Sequence, residues 1–229
     1  MNFTNKPALK ADGSVPASFY DEAYWEHGAE SGKGSYNGND YADNVEACKM
    51  WATDMYNRWG PFKRVLELGC GRGWNIYGFL NMSDLGVEAV GIDFSQYAVE
   101  TAHPDVKPFL LRHDISDLAP WADGSFDLVF SNDVLEHLTL VQLEKCLHEC
   151  RRVARERVVH LVSIGQGIDM PFGTAPSDQD QSHVTMKSKL WWQAMFSEMF
   201  MKKSNGPGAW WIGTIDHGST IEFDMRRVA

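Results

Sequence analysis

The residues with the clearest chemical use lie in two short segments, one rich in glycine and one ending in an acid. Gly69, Gly71 and Gly73 stand at alternate positions directly after an apolar run that ends at Leu68. Because glycine has no Cβ atom, a ligand can lie against such a backbone at a strand-to-helix turn. Asp93 ends a second apolar run, 24 positions after Gly69, and an acid at about this offset holds the ribose hydroxyls in many βαβ sites. Together the two segments predict a site for a nucleotide-like ligand.

Four segments that follow one another along the chain carry a family resemblance. They are Glu67–Gly73, Gly91–Ser95, His113–Ile115 and Phe126–Leu138. In this order they resemble the motifs of the class I S-adenosylmethionine-dependent methyltransferases, closely over residues 60–165 and loosely elsewhere. The spacing G-x-G-x-G also differs from the G-x-G-x-x-G of an NAD site, which favours a methyltransferase over a dehydrogenase. The resemblance implies S-adenosyl-L-methionine as cofactor and S-adenosyl-L-homocysteine as product.

The resemblance also implies roles for nine residues, most of which follow strand ends. Gly69 and Gly71 would let the backbone approach the methionine part of the cofactor, and Glu67 would face its cationic amine and sulfonium. Asp93 would accept both ribose hydroxyls, and Phe94 would lie against the adenine. The remaining four would contact the adenine amine or floor the pocket near the methionine part: Asp114, Ile115, Asn132 and Asp133. Ordinary alternatives stay open for three of the nine: a helix cap for Asp93, core packing for Phe94 and a turn for Asp114.

Two histidines are candidates for the proton acceptor that a hydroxyl substrate would need. Histidine is the natural choice near neutral pH. His137 ends the fourth motif, whereas His183 lies in a polar loop before the Trp191-Trp192 pair. We favour His183 as the base, because Asp178 and Asp180 in its loop could orient an imidazole. His137 would then shape the pocket.

Residues 28–44 are rich in glycine and asparagine and predict a long loop. Long loops often cover ligands, so we expect a lid whose Tyr36 contacts the substrate. The stretch around His183 and the aromatic segment Phe19–Trp25 are similar, more loosely, to methyltransferases of glycan and small-metabolite gene clusters. We therefore expect methylation of a small polar molecule, at an oxygen of a sugar or another metabolite. The alternatives are a methyltransferase of tRNA or protein and a catalytically silent cofactor-binding scaffold.

The composition limits the partners. The chain has 229 residues and a net charge of −10, and an acidic surface repels nucleic acid. The basic stretch Arg151–Arg157 is interpreted as a helix end rather than an RNA contact. Cys146 and Cys150 lack a second ligand pair and are interpreted as buried thiols, so we expect no metal site. We expect a cytoplasmic monomer or homodimer without a membrane segment.

Alternating strand and helix patterns begin at Lys63 and predict the fold class. We expect an α/β fold with a doubly wound, mostly parallel, Rossmann-like sheet. Strand-like segments at Trp210–Ile215 and Thr220–Met225 predict a C-terminal antiparallel strand pair. Residues 1–60 would form a loose arm over 1–18, the lid and a capping helix, and residues 61–229 the methyltransferase domain.

Overall fold

A computed structural model describes residues 7–34, 44–165, 180–201, 210–217 and 219–228. Its centre is a seven-stranded sheet with the strand order β3-β2-β1-β4-β5-β7-β6. The strands are β1 (Arg64–Leu68), β2 (Glu88–Asp93), β3 (Leu110–Arg112), β4 (Phe126–Asn132), β5 (Ala154–Ser163), β6 (Trp210–Asp216) and β7 (Thr220–Arg227). The first five are parallel, and β7 runs antiparallel to both β5 and β6. The predicted fold class, including the C-terminal antiparallel pair, is confirmed.

The helices cover both faces of this sheet. They are α1 (Glu22–Trp25), α2 (Gly28–Ser31), α3 (Val45–Trp59), α4 (Trp74–Leu80), α5 (Gln96–Thr101), α6 (Leu140–Val153) and α7 (Lys189–Phe196). Two large apolar clusters result, one under α6 and α7 and the other under α3 and α4. The parallel strands read as continuous apolar runs because both of their faces are buried.

The parallel register brings the ends of β1, β2 and β4 to one edge of the sheet. Leu68 pairs with Ile92 on one side and with Ser131 on the other. The chain order reverses between β1 and β4, since β2 and β3 lie on one side of β1 and β4 and β5 lie on the other. Open α/β sheets bind ligands in the crevice at such a reversal. The fold therefore directs attention to the loops that follow these three strands.

One local prediction was wrong, and a second holds only in part. The sequence pattern over Val134–Leu138 predicts a helix, but the structure has a single 3₁₀ turn, Leu135–His137, because Leu138 is extended and Thr139 starts α6 with a capping box. Arg151 and Arg152 of the basic stretch lie in the last turn of α6, as expected, but the helix ends at Val153 and β5 begins at Ala154. Arg155 and Arg157 of this stretch lie on the strand and form ion pairs with Asp127 and Asp224.

The N-terminal segment is better packed than a loose arm. Val15 is buried with Phe19 and Tyr24 in a third apolar cluster. Only the beginning of the expected lid is visible, as α2 and the residues up to Gly34. Residues 35–43, and with them Tyr36, lie outside the described residues, so the expected lid and its substrate contact stay predictions.

Cys146 and Cys150 lie on the buried face of α6, with their sulfur atoms 3.9 Å apart. Both belong to the core cluster of that face. Within the described ranges, no helix has the length and apolar character needed to cross a membrane.

His160 on β5 is a buried histidine whose charge state should tie stability to pH. Its Nδ1 lies 2.7 Å from Ser131 Oγ, its ring stacks on Phe196, and burial lowers its pKa to about 3. The unfolded chain binds a proton at this residue below pH 6.5, whereas the folded chain stays neutral. The free energy of unfolding should therefore decrease as the pH drops through 6.5 toward 3. Between pH 7 and pH 5, His160 alone should lower it by about 2 kcal/mol.

Urea unfolding of the wild type and of His160→Gln at several pH values tests this prediction. In the variant, the free energy of unfolding should fall less between pH 7 and pH 5 than in the wild type, even if the variant is less stable at pH 7. His148→Gln is the matched control, since the side chain of His148 is 61% exposed and its removal should leave the slope unchanged. Parallel pH slopes for the wild type and His160→Gln would contradict the prediction.

Candidate active site

One cavity lies beyond the ends of β1, β2 and β4. Seven of the nine residues predicted to bind cofactor line it: Gly69, Asp93, Phe94, Asp114, Ile115, Asn132 and Asp133. His137 lines it as well, whereas His183 and the other two, Glu67 and Gly71, are not among its lining residues. The remaining wall comes from the N-terminal segment, from Val134 and Leu138 beside the 3₁₀ turn after β4, and from Gln142 of α6. The structure thus brings most of the predicted site together.

The three glycines of the turn have left-handed backbones but different surroundings. Their φ angles are 66° at Gly69, 54° at Gly71 and 81° at Gly73. Residues with a Cβ atom rarely adopt this left-handed backbone conformation. A Cβ atom on Gly69 would collide with Val134, and one on Gly73 would approach Leu110 to 2.8 Å. These two glycines therefore serve the packing of the turn. A Cβ atom on Gly71 would point instead at the ring of Trp25, 3.0 Å away.

Asp93 at the end of β2 holds the glycine turn in place. Its Oδ2 accepts the Gly71 N–H at 2.7 Å, and its Oδ1 accepts the Ser95 N–H at 2.7 Å. Burial raises the pKa of this carboxyl, and the backbone N–H groups of Ser95, Gly71 and Phe94 oppose that shift. Each carboxylate oxygen has a further lone pair, so Asp93 can support the turn and still accept from hydroxyls in the cavity.

Glu67 lies behind the turn rather than on the cavity surface. Its Oε1 accepts from Asn75 Nδ2 at 2.6 Å. Its Oε2 is buried and has no hydrogen-bond partner among the described residues. Burial raises the pKa of Glu67 to about 8. A buried acid with an unmatched oxygen is the feature that would suit a cationic group bound at this end of the turn.

At the far end of the cavity, Phe94 and Asp114 stand where an adenine would be expected. Lys10 Nζ lies 5.2 Å from the centre of the Phe94 ring. Asp114 Oδ1 accepts from the backbone N–H and the hydroxyl of Ser116, both at 2.8 Å. Asp114 therefore stabilises a turn, which was one of the alternatives left open from the sequence. Its second carboxylate oxygen remains available to the cavity that the residue lines.

His137 is held by a chain of hydrogen bonds that reaches into the loop after β5. Ser182 Oγ donates to Asp180 Oδ1, which accepts only. Ser182 Oγ therefore accepts from His137 Nδ1, 2.8 Å away. Assigned in this way, the neutral ring carries its proton on Nδ1 and its free lone pair on Nε2. Burial lowers the pKa of His137, so the neutral form prevails at pH 7.

His183 lies next to His137. The two ring centres are 4.6 Å apart, and the rings meet edge to face. The sequence-based ranking placed His183 first, but the geometry favours His137 as the group that meets an acceptor. His183 is only 8% exposed and His137 is the ring that lines the cavity.

The N-terminal segment supplies three aromatic side chains that sequence reasoning did not assign to the site. The Tyr20 hydroxyl lies 3.4 Å from His137 Nδ1, and the Tyr24 hydroxyl donates to Asp180 Oδ2 at 2.6 Å. Trp25 Nε1 donates to Ser95 Oγ at 3.0 Å. The aromatic run Phe19–Trp25 was the available signal, but the sequence does not say what such a run packs against.

Comparison with known proteins matches the same part of the chain. Residues 66–162 match the family model described as "Methyltransferase domain". This part of the chain is a class I S-adenosylmethionine-dependent methyltransferase domain. It contains the glycine turn, Asp93, Asp114 and His137, and it ends within β5.

Two curated relatives resemble this methyltransferase domain. A probable S-adenosylmethionine-dependent methyltransferase of Mycolicibacterium smegmatis is 33% identical over 43% of this chain and 37% of its own. A tRNA U34 carboxymethyltransferase of Pseudomonas savastanoi is 34% identical over 42% of this chain and 33% of its own. The similarity thus spans well under half the length of either relative.

A solved structure shows the same fold over more of the chain. The Burkholderia thailandensis 1,6-didemethyltoxoflavin-N1-methyltransferase, crystallised with its substrate and S-adenosylhomocysteine, has a TM-score of 0.55. It is 13% identical, and the alignment covers 84% of this chain and 83% of that one.

The side chains present in this methyltransferase domain fit S-adenosylmethionine. The unmatched buried Glu67 Oε2 suits the cationic amine, and Gly71 presents a backbone without a Cβ atom, with the ring of Trp25 as its neighbour on that side. Asp93 ends β2 and accepts from the Gly71 N–H, at the strand end where a ribose is usually bound. When bound, the cofactor would supply an activated methyl group on a sulfonium.

Asp93→Ala is expected to weaken the binding of S-adenosylhomocysteine to the methyltransferase domain by about 10- to 150-fold. The variant loses a charge-assisted contact to the ribose, which contributes about 1.5–3 kcal/mol. Isothermal titration calorimetry measures the effect. The control is Asp105→Ala, since the Asp105 side chain is 73% exposed. An unchanged dissociation constant for a folded Asp93→Ala would remove Asp93 from the cofactor site.

Proposed function

We propose that this protein transfers the methyl group of S-adenosylmethionine to a hydroxyl oxygen of a small polar molecule. Support comes from one observation above the others: the chain from His137 through Ser182 to Asp180 at the cavity wall. A hydroxyl becomes a good nucleophile only as it loses its proton, so it needs a polar group of this kind beside it. A site that only bound the cofactor would have no use for an imidazole oriented in this way.

The chemistry divides between the cofactor and the side chains. S-adenosylmethionine would supply the methyl group for the new bond to the acceptor oxygen, and S-adenosylhomocysteine would be the product. Asp93 and the glycine turn fix the donor, and alignment of the two reactants contributes several kcal/mol, on the order of 7 in well-oriented systems. His137 Nε2, with its lone pair, would accept the proton that the acceptor hydroxyl loses on the cavity side.

A small acceptor suits the enclosure of the site. The cavity is bordered by Tyr20, Tyr24 and Trp25 of the N-terminal segment. Aromatic side chains of this kind pack well on sugar or planar rings. The net charge of −10 counts against tRNA, which a carboxymethyltransferase relative modifies, since phosphate backbones are repelled. The free, buried cysteines are in keeping with a cytoplasmic protein.

The experiment that tests the proposal is a screen with a labelled methyl donor. The protein is incubated with labelled S-adenosylmethionine and the small-molecule fraction of a cell extract, and mass spectrometry identifies any molecule that gains one CH₂ unit. Parallel reactions with total tRNA and with a protein fraction separate the acceptor classes. Label that enters only tRNA or protein would overturn the small-molecule proposal, and no label in any fraction would favour a silent scaffold.

A further inference from the structure

Behind the cavity wall, three side chains with metal-binding atoms come together. Glu136, His137 and His183 each offer one such atom, and these atoms lie within 4.8 Å of one another. Glu136 and His137 are consecutive on the 3₁₀ turn after β4, while His183 belongs to the loop after β5. The backbone fixes the two segments to each other, since the N–H groups of Val184 and Thr185 both donate to the Glu136 carbonyl oxygen at 2.9 Å.

The carboxylate of Glu136 has no compensating charge in the described parts of the chain. It is fully buried. Its Oε1 accepts a 3.3 Å bond from the Ser163 N–H, and its Oε2 has no hydrogen-bond partner among the described residues. A buried carboxylate with one oxygen that lacks a hydrogen-bond partner is costly, and a cation beside it would remove that cost.

We propose that Glu136, His137 and His183 bind a divalent first-row transition-metal ion. Two imidazole nitrogens and one carboxylate oxygen form a donor set that suits Zn²⁺, Fe²⁺, Ni²⁺ or Mn²⁺, whereas Mg²⁺ prefers oxygen ligands alone. The three protein ligands leave a coordination position for water or substrate, as in catalytic metal sites.

The surroundings of His137 fit the role of a metal ligand. A metal-binding histidine commonly donates its other ring N–H to a polar group that fixes its orientation. His137 Nδ1 is bonded to Ser182, which is itself bonded to Asp180, so Nε2 is the nitrogen left for a metal. Asp180 is held in turn by the hydroxyl of Tyr24.

The catalytic role of this metal ion rests on the proposed function, because it assumes that a hydroxyl acceptor binds in the cavity. A cation held by His137 would stand at the cavity wall and could bind the acceptor oxygen, which lowers the pKa of the hydroxyl. His137 would then act on the acceptor through the ion, and the proton would leave to solvent. The metal site itself can be tested without any turnover.

The test is calorimetric titration of Zn²⁺ and Mn²⁺ into the untagged full chain after treatment with a chelator, with Mg²⁺ as a comparison. We expect one transition-metal ion per chain. Glu136→Gln, which keeps the shape of the side chain and removes its charge, should weaken binding by about 100-fold or more, because loss of an outer partner alone costs about 10- to 100-fold. Ser182→Ala, which removes only an outer partner, should weaken metal binding by about 10- to 100-fold. The visible spectrum of the Co²⁺ form should change in both variants.

The controls separate this site from others. His148→Gln removes a surface histidine and should bind as the wild type does. Equal binding by the wild type and Glu136→Gln, with an unchanged Co²⁺ spectrum, would mean an adventitious ion only. Absence of binding to the wild type, or binding of Mg²⁺ alone, would overturn the proposal. If Glu136→Gln does not fold, metal binding by His183→Gln and by Ser182→Ala is compared with that of the wild type instead, and both variants should bind more weakly. Methyl transfer by a protein that binds no metal would leave the proposed function intact.

Discussion

Replacing His137 by alanine is expected to lower methyl transfer by about 10²–10⁴-fold, the range that a positioned acid–base group contributes. The imidazole lines the cavity and is held by Ser182 and Asp180, so its loss removes the polar group nearest the acceptor. The contacts of Asp93 and the glycine turn do not involve His137. The binding of S-adenosylhomocysteine should therefore be unchanged. Single-turnover rates with the acceptor from the screen, together with calorimetry, measure the two effects.

Two further variants make this result interpretable. His148→Ala removes an exposed histidine of α6 and should turn over at the rate of the wild type. His183→Ala removes the neighbour of the His137 ring and should cost less than His137→Ala, because His183 does not line the cavity. Full activity in His137→Ala together with a large loss in His183→Ala would restore the sequence-based ranking and contradict the argument from geometry.

The cofactor side of the site could be predicted because it depends on local sequence. A strand that ends in Asp93 and a turn with glycines at alternate positions have few structural solutions, and the parallel sheet then brings their ends together. Seven of the nine predicted residues line one cavity. Glu67 is set back from it because its place on β1 points the side chain into the interior, against Asn75.

The acceptor side could not be predicted in the same way, because contacts between distant segments build it. His137 meets Ser182 across 45 residues of sequence, and Tyr24 meets Asp180 across 156. No periodicity or spacing reveals such pairs. The acids near His183 suggested that this histidine was the oriented one, but Asp180 acts through Ser182 on His137. Glu136 was not predicted as a metal ligand, because the sequence does not show whether a carboxylate in an apolar motif has a positively charged partner in the fold.

Gly71→Val is expected to abolish measurable binding of S-adenosylhomocysteine. The position has a φ of 54°, which a β-branched residue adopts only with strain. A Cβ atom there would also stand 3.0 Å from the ring of Trp25, in the space over the turn where the cofactor's methionine part is proposed to lie. The Gly71 N–H is bonded to Asp93, so any shift of the turn also disturbs the proposed ribose contact. Calorimetry and thermal unfolding on the same samples separate binding from folding.

The matched control for that variant is Gly86→Val. Gly86 has a similar φ of 57°, and a Cβ atom on it would meet nothing closer than Lys63 Nζ at 4.0 Å. Both variants therefore carry comparable backbone strain, on the order of 1–3 kcal/mol, but only one of them lies under Trp25. Loss of cofactor binding in Gly71→Val with binding retained in Gly86→Val would assign the effect to the turn itself. Normal binding by a folded Gly71→Val would mean that the backbone at this glycine does not form the cofactor site, and equal loss in both variants would reduce the effect to general strain.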